Sequence, residues 1–314
     1  MPISPDSADA ALLQLAVTLR ERGYRFTTVT PATHERVNNR KENQWAQNIE
    51  DVFGWSRPFR SEVLPHAIFD LMQRAEVVQA HGEAWRSTVR LSSLGEHLLW
   101  HSAYPTSEAD AVFFGPDTYR FASAIESYCT SSTRTVQRAV DIGCGAGPGA
   151  ILVAKANPRA QVLAVDINQC ALRFARINAA LNGVENLEAQ HSNLLNDTEG
   201  DFDLIVANPP YLVDEKERAY RHGGGPLGAG LSLAIVDAAM QRLSREGTLL
   251  LYTGAAIVGG SDPFRDAVAQ RLSHANATWN YREVDPDVFG EELETRAYAH
   301  CDRIAAVVLT VVKN

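Results

Sequence analysis

In the front third of the chain, apolar residues recur at helical spacing. Leu12, Leu15, Ala16 and Leu19 share one face of a helix predicted over Ala8 to Arg22, and Gly23 ends it. Thr30-Pro31 reads as an N-cap with proline at the first helical position, opening a polar, helix-compatible stretch towards Asp51. Leu64, Ile68, Leu71, Met72 and Ala75 predict a second strong helix over Ser61 to Ala75. Val77 to Ala80 and Ser87 to Leu91 flank a turn at His81-Gly82-Glu83, the pattern of a hairpin. Helices followed by a hairpin suggest a helical or winged-helix-like module over residues 1–110. Such modules bind nucleic acid or protein, or shield a neighbouring domain. The polar stretch Tyr104 to Asp110, with Pro105 and Ser107, reads as the connection to the next unit.

From residue 111 the pattern changes. Short apolar runs alternate with helical ones: strands ending at Asp141, Asp166, Leu195 and Tyr211, and another over Thr248 to Tyr252. Between them lie predicted helices over Arg120 to Cys129, Ala150 to Ala156, Asn168 to Asn182 and Ser232 to Leu243. Asp262-Pro263 caps one more, to about Ser273. Trp279 to Val284 and Arg303 to Val312 fit an antiparallel closing pair at the sheet edge. The βα alternation over 111–314 predicts an α/β, Rossmann-like doubly wound sheet, with ligand outside the carboxyl ends of the strands.

Composition narrows the setting. A chain of 314 residues allows two domains or one large one, and 45% hydrophobic content is ordinary for a globular protein. No apolar run approaches the ~20 residues of a membrane span, and the start lacks the basic residues of a signal peptide. Cys129, Cys144, Cys170 and Cys301 show no C-x-x-C spacing, which fits a reduced, cytoplasmic setting without structural zinc. His81, His97 and His101 lack cysteines or carboxylates at ligand spacing, so no metal is expected. The net charge of −9 argues against non-specific binding to nucleic acid. Residues 20–60 nevertheless carry eight basic against five acidic side chains. Trp45, Phe53, Trp55 and Phe59 follow closely, as core residues or as a base-stacking or partner surface.

The first stretch that carries chemistry is Val140-Asp141-Ile142-Gly143-Cys144-Gly145-Ala146-Gly147-Pro148-Gly149. It reads as strand, tight turn and helix, with glycines that admit positive φ and let a ligand approach the main chain. A dinucleotide fingerprint, G-x-G-x-x-G, does not fit: its third glycine falls at Pro148, and Asp141 has no place in it. D-x-G-x-G-x-G resembles motif I of the class I methyltransferases, which use S-adenosylmethionine (AdoMet). That resemblance implies that Gly143, Gly145 and Gly147 pack against the methionine part of AdoMet and that Asp141 serves its amino group. Asp166, 25 residues on, ends the next strand, where a carboxylate can accept both hydroxyls of a ribose; the alternative is a helix cap. In the resembled family the turn at Ser192-Asn193 often carries Gly-Asp, which holds the adenine amine; the Asn193 oxygen can still accept from it. Ile167, Ser192, Leu194 and Asn208 complete the candidate cofactor residues.

The second stretch is Asn208-Pro209-Pro210-Tyr211, at the end of a buried strand. Prolines stiffen the turn and remove donors, leaving the Asn208 amide and Pro209 carbonyl free to accept both protons of one planar NH₂. Tyr211 supplies a ring to stack on that group. Asn208, Pro209 and Tyr211 are therefore the candidate catalytic residues for direct methyl transfer to a planar nitrogen. Val112 to Tyr119, with Gly115-Pro116-Asp117-Thr118, resembles the proline-containing segment ahead of the AdoMet domain in HemK-like glutamine methyltransferases, though without its arginine. Gly223 to Gly230 is a flexible loop or resembles the glycine-rich segment of the same enzymes. The resemblance covers about the last two-thirds of the chain. It implies methylation of a protein glutamine amide, as in a translation release factor. The alternatives are an adenine or guanine amine in rRNA, tRNA or DNA, shared by other N-P-P-Y enzymes and by RNA enzymes of the methyltransferase small domain type, or a non-catalytic AdoMet-fold binding protein. The implied partner is a macromolecular acceptor, with no membrane.

Overall fold

A computed structural model describes residues 4, 7–106, 108–214, 218 and 220–314. Ser107 of the predicted connection and 215–217 and 219 lie outside these residues, as do 1–3 and 5–6. Helix α1 (Ala8–Glu21) is capped by Ser7, whose hydroxyl accepts from the Ala10 N–H, and it buries Leu12, Leu15, Ala16 and Leu19 on one face. Thr30 caps α2 (Pro31–Asn38). The polar stretch towards Asp51 is not one helix: it breaks after Asn38, and Asn48 caps a separate α3 (Ile49–Phe53). The helix predicted from Ser61 begins only at His66, as α4 (His66–Arg74), because Pro65 drives the preceding Leu64 into extended backbone.

Strands β1 (Val78–His81) and β2 (Ala84–Ser87) form a hairpin about Gly82. Its second strand comes earlier than the Ser87 to Leu91 expected, because the turn is tight; Val89 to Leu91 instead pair with Trp100 to Ser102. A second hairpin follows, β3 (Val89–Leu94) with β4 (His97–Ser102), turning at Gly95. It buries side chains on both faces, and so shows no alternation in the sequence.

Beyond it the elements are α5 (Pro116–Ser131), β5 (Arg138–Ile142), α6 (Pro148–Ala156), β6 (Gln161–Asp166), α7 (Gln169–Leu181), β7 (Leu187–His191) and β8 (Phe202–Ala207). Then come α8 (Gly230–Arg242), β9 (Leu243–Ile257), α9 (Pro263–Leu272), β10 (Ala277–Asp285) and β11 (Arg303–Lys313). The seven-stranded sheet runs β10-β11-β9-β8-β5-β6-β7. Strands β5 to β9 are parallel neighbours; β11 lies antiparallel between β9 and the edge strand β10. Alternate residues of each strand enter two cores. Ala139, Ala164, Val206 and Leu250 meet α5, α6 and α7, while Val140, Val165, Ile205 and Leu251 meet α8 and α9. The order reverses between β5 and β8, which places the ends of both strands at the topological switch point.

A third core joins the front elements to α7. Leu12, Leu15, Ile68 and Trp100 pack with Ala171, Phe174, Ile177 and Leu181. Fully buried Asn178 crosses the same seam. Its Nδ2 donates to the Trp100 and Ala146 carbonyls at 3.0 and 2.8 Å, and its Oδ1 accepts from the Trp100 N–H at 2.8 Å.

Candidate active site

At the switch point the chain forms a half-open cavity of about 360 Å³. Asp141, Gly143, Gly145, Asp166, Ile167, Ser192, Asn193, Leu194, Asn208, Pro209 and Tyr211 all line it. Gly147 does not. It caps α6 in left-handed backbone at φ +83°, and a Cβ there would stand 3.2 Å from the backbone of Ala175 on α7. Gly147 thus sets the turn and the approach of α7, whereas a Cβ on Gly143 would meet no protein atom within 4 Å. That open space is room for a ligand against bare main chain.

The two strand-end carboxylates differ. Asp141 is buried, and its Oδ2 accepts from the Ala150 N–H at 2.9 Å. Burial pushes its carboxyl up to about 8, against that hydrogen bond; the nearby Asp166 adds to the rise. Asp166 is partly open and spans the turn. Its Oδ2 accepts from Gly145 and its Oδ1 from Asn168, each at 2.9 Å. The cap of α7 is Asn168, whose own side chain accepts from Cys170. Burial raises the Asp166 carboxyl too, and these N–H groups oppose the rise. Ile167 is 54% exposed over the cavity. Ser192 is buried and accepts from the Asp197 N–H, which fixes the turn that presents Asn193.

Asn208 follows β8 directly and is half-buried; among the described residues nothing hydrogen-bonds its side-chain amide. Tyr211 is 6% exposed, so its ring lines the cavity without standing open to it. Its hydroxyl donates to Asp117 Oδ2 at 2.6 Å, and Phe289 meets its ring edge-on with centroids 5.8 Å apart. Asp117 also accepts from the Tyr252 hydroxyl at 2.6 Å and from Arg120, which reaches Asp285. Sequence reading passed over Asp117 as a site residue, although it marked the segment that contains it. It also passed over Tyr104, Thr106, Tyr220 and Arg221, which line the cavity from distant parts of the chain. The Tyr220 hydroxyl donates to the Thr106 carbonyl, and Arg221 pairs with Glu292.

The glycine-rich segment is not a free loop. Gly223 donates to the Leu212 carbonyl at 2.8 Å, and Leu231 to the Gly223 carbonyl at 2.7 Å. A Cβ on Gly228, at φ +76°, would lie 2.1 Å from the Tyr211 carbonyl oxygen. The segment is therefore a fitted support beneath Asn-Pro-Pro-Tyr.

The model of the methyltransferase small domain family matches residues 127–256. The release factor glutamine methyltransferase of Deinococcus radiodurans is 32% identical over 230 residues, which span 69% of this chain and 80% of that enzyme. The chain belongs to this methyltransferase family. It is an AdoMet-dependent methyltransferase, and the glycine turn with its open flank fits that cofactor. The ribosomal RNA small subunit methyltransferase C of Serratia proteamaculans is 39% identical over 74 residues, 24% of the methyltransferase described here and 21% of the Serratia enzyme. A putative transferase from Pyrococcus horikoshii shares the fold, with a TM-score of 0.50 and 13% identity over 79% of this chain and 82% of that one. The methyltransferase has, among its described residues, no helix long and apolar enough to cross a membrane and no His, Cys, Asp and Glu group able to hold a metal ion.

Proposed function

We propose that this enzyme methylates the side-chain amide nitrogen of a glutamine in a protein, with a release factor as the model of its acceptor. The observation that carries the proposal is the pairing of an unengaged Asn208 amide with a nearly closed Tyr211 ring. A platform for a flipped purine needs an open aromatic face. Here Asp117 and Phe289 hold Tyr211 so that little of it is accessible, which suits a slender amide. The similarity to the Deinococcus glutamine methyltransferase over most of its length supports the same reading.

In this proposal Asp141 and the 143–145 turn take the amino-acid end of AdoMet, Asp166 its ribose, and Ile167 with Ser192 to Leu194 its adenine. AdoMet supplies an electrophilic methyl group on its sulfonium. The Asn208 amide oxygen and the Pro209 carbonyl accept the two N–H protons of the acceptor amide, whose lone pair is otherwise delocalised into its carbonyl. They orient that nitrogen and stabilise the positive charge it develops, and as it gains the methyl the nitrogen loses one of the two protons to solvent water.

The test is single-turnover transfer from labelled AdoMet into separated protein and RNA fractions of a lysate lacking the enzyme, with wild type and Asn208→Ala. Label is expected in protein as N5-methylglutamine. Asn208→Ala should bind AdoMet normally yet transfer ~10²–10³-fold more slowly. Label confined to RNA would replace the glutamine reading with the base-methylating one.

A further inference from the structure

Hairpin β3–β4 carries a charge that the fold leaves unanswered. Arg90 stands opposite His101 in the hairpin register and is 5% exposed. Its Nε and Nη2 are buried and donate to nothing among the described residues. Its guanidinium carbon lies 5.4 Å from the centroid of the Phe26 ring, which supplies a π face and no acceptor atom. His34, 1% exposed, also keeps a buried ring nitrogen, Nε2, without a partner.

The Oδ1 of Asn38 accepts from Arg57 Nε at 2.9 Å, and its Nδ2 donates to the Trp55 carbonyl at 2.9 Å. The His34 ring sits against the same pair, with Nδ1 3.3 Å from Asn38 Nδ2 and a hydrogen bond to the Trp55 backbone. Burial and the charges of Arg90 and Arg57 hold the ring down to about 3, against that backbone bond, so it is neutral at ordinary pH. The unanswered charge is that of Arg90.

The other neighbours are satisfied, except Arg86, whose Nε is also buried without a partner among the described residues. Arg57 pairs with Asp51 at 2.5 Å; Thr28, Ser92 and His101 bond to one another; the Tyr24 hydroxyl donates to the Leu91 carbonyl. Glu35 and Glu50 bear on Tyr104 and Tyr24 respectively, but neither pairs with Arg90. Burying a guanidinium without a counter-charge is strongly unfavourable, so the cluster is built for an occupant with acceptors and negative charge. Access is next to hand: His34 packs on Tyr104 with ring centroids 4.1 Å apart, and Tyr104 and Pro31 line the active-site cavity.

We propose that Arg90 is the centre of a second binding site, for a compact oxyanion such as a carboxylate or phosphate, beside Tyr104 and the methyltransferase cavity. The occupant is an acidic side chain of the methyl acceptor or a free small anion. The chemistry is the same for both: a forked guanidinium on a charged, acceptor-only group.

The site is tested without any acceptor, so its fate is separate from that of the glutamine reading. Thermal unfolding of wild type and Arg90→Met is followed in rising inorganic phosphate, and again in acetate, at ionic strength matched with chloride. Wild type should gain a few degrees in a saturable way with one or both anions, and Arg90→Met should gain none. Without either anion, Arg90→Met should be at least as stable as wild type, because it removes an unpaired buried charge. A wild type that does not respond, or an equal rise in both proteins, overturns the site. If Arg90→Met does not fold, the Nε–Hε resonance of Arg90 in wild type decides: it shifts on adding either anion if the site exists and stays put if not. The source follows from kinetics. An acidic residue on the acceptor predicts a KM for the acceptor roughly tenfold higher in Arg90→Met, with AdoMet affinity unchanged. A free anion leaves that KM unaltered.

Discussion

Asp141 gives the site its pH dependence. In the folded chain its carboxyl sits near 8, against an ordinary value of 3.8, so between those limits the native state holds a proton that the unfolded chain has lost. Its contribution to stability therefore falls as pH rises through that window and levels off above about 8. An ammonium placed against Asp141 favours the ionised form and drives the proton off. At pH 6.5 the α-amino group of AdoMet is already charged. Binding there should release close to one proton from wild type and none from Asp141→Asn. Titration calorimetry in two buffers of different ionisation enthalpy measures the count. No release from wild type would remove Asp141 from the ammonium-binding role.

The element that matters most is the turn after β8 together with the glycine-rich segment beneath it. Gly228 has no alternative: alanine there meets both a left-handed backbone angle and the Tyr211 carbonyl at 2.1 Å. Gly228→Ala should push Asn-Pro-Pro-Tyr out of place, lowering kcat at least ~10²-fold while AdoMet affinity stays within a few-fold. Equal kcat in the two proteins would show that the segment only covers the site. From the sequence, this stretch read equally as a loose loop, because close backbone contact leaves no side-chain pattern. The parallel strands were legible for the opposite reason: buried on both faces, they appear as apolar runs, and Asp141, Asp166 and Asn208 stand where those runs stop. Leu98, Leu99 and Trp100 hid β4, because burial on both sides erased the alternation that marks a strand, and the start of β3 reads as the partner of Val77 to Ala80. Asp117 escaped because its partners, Tyr211 and Tyr252, are 94 and 135 residues away.

Across the whole molecule, the front elements and the AdoMet half share a core rather than a linker. Removing residues 1–110 would bare Phe174, Ile177 and Leu181 of α7, so truncation tests folding before it tests acceptor choice. A single side chain probes the coupling more cleanly. Asn178 ties the Trp100 backbone of β4 to the Ala146 carbonyl, inside the glycine turn itself. Asn178→Ala leaves a buried N–H and two carbonyls without their partner and should cost about 3 kcal/mol or more. If the front layer steadies the cofactor turn through this amide, AdoMet affinity should fall by roughly tenfold as well, under conditions where circular dichroism shows the protein still folded. Urea unfolding and AdoMet titration on the same preparation supply both numbers. Lost stability with unchanged AdoMet affinity would mean that the turn is held by its own strand and helix, through Asp166 and Gly147, and that the front layer is joined to the enzyme without governing its cofactor.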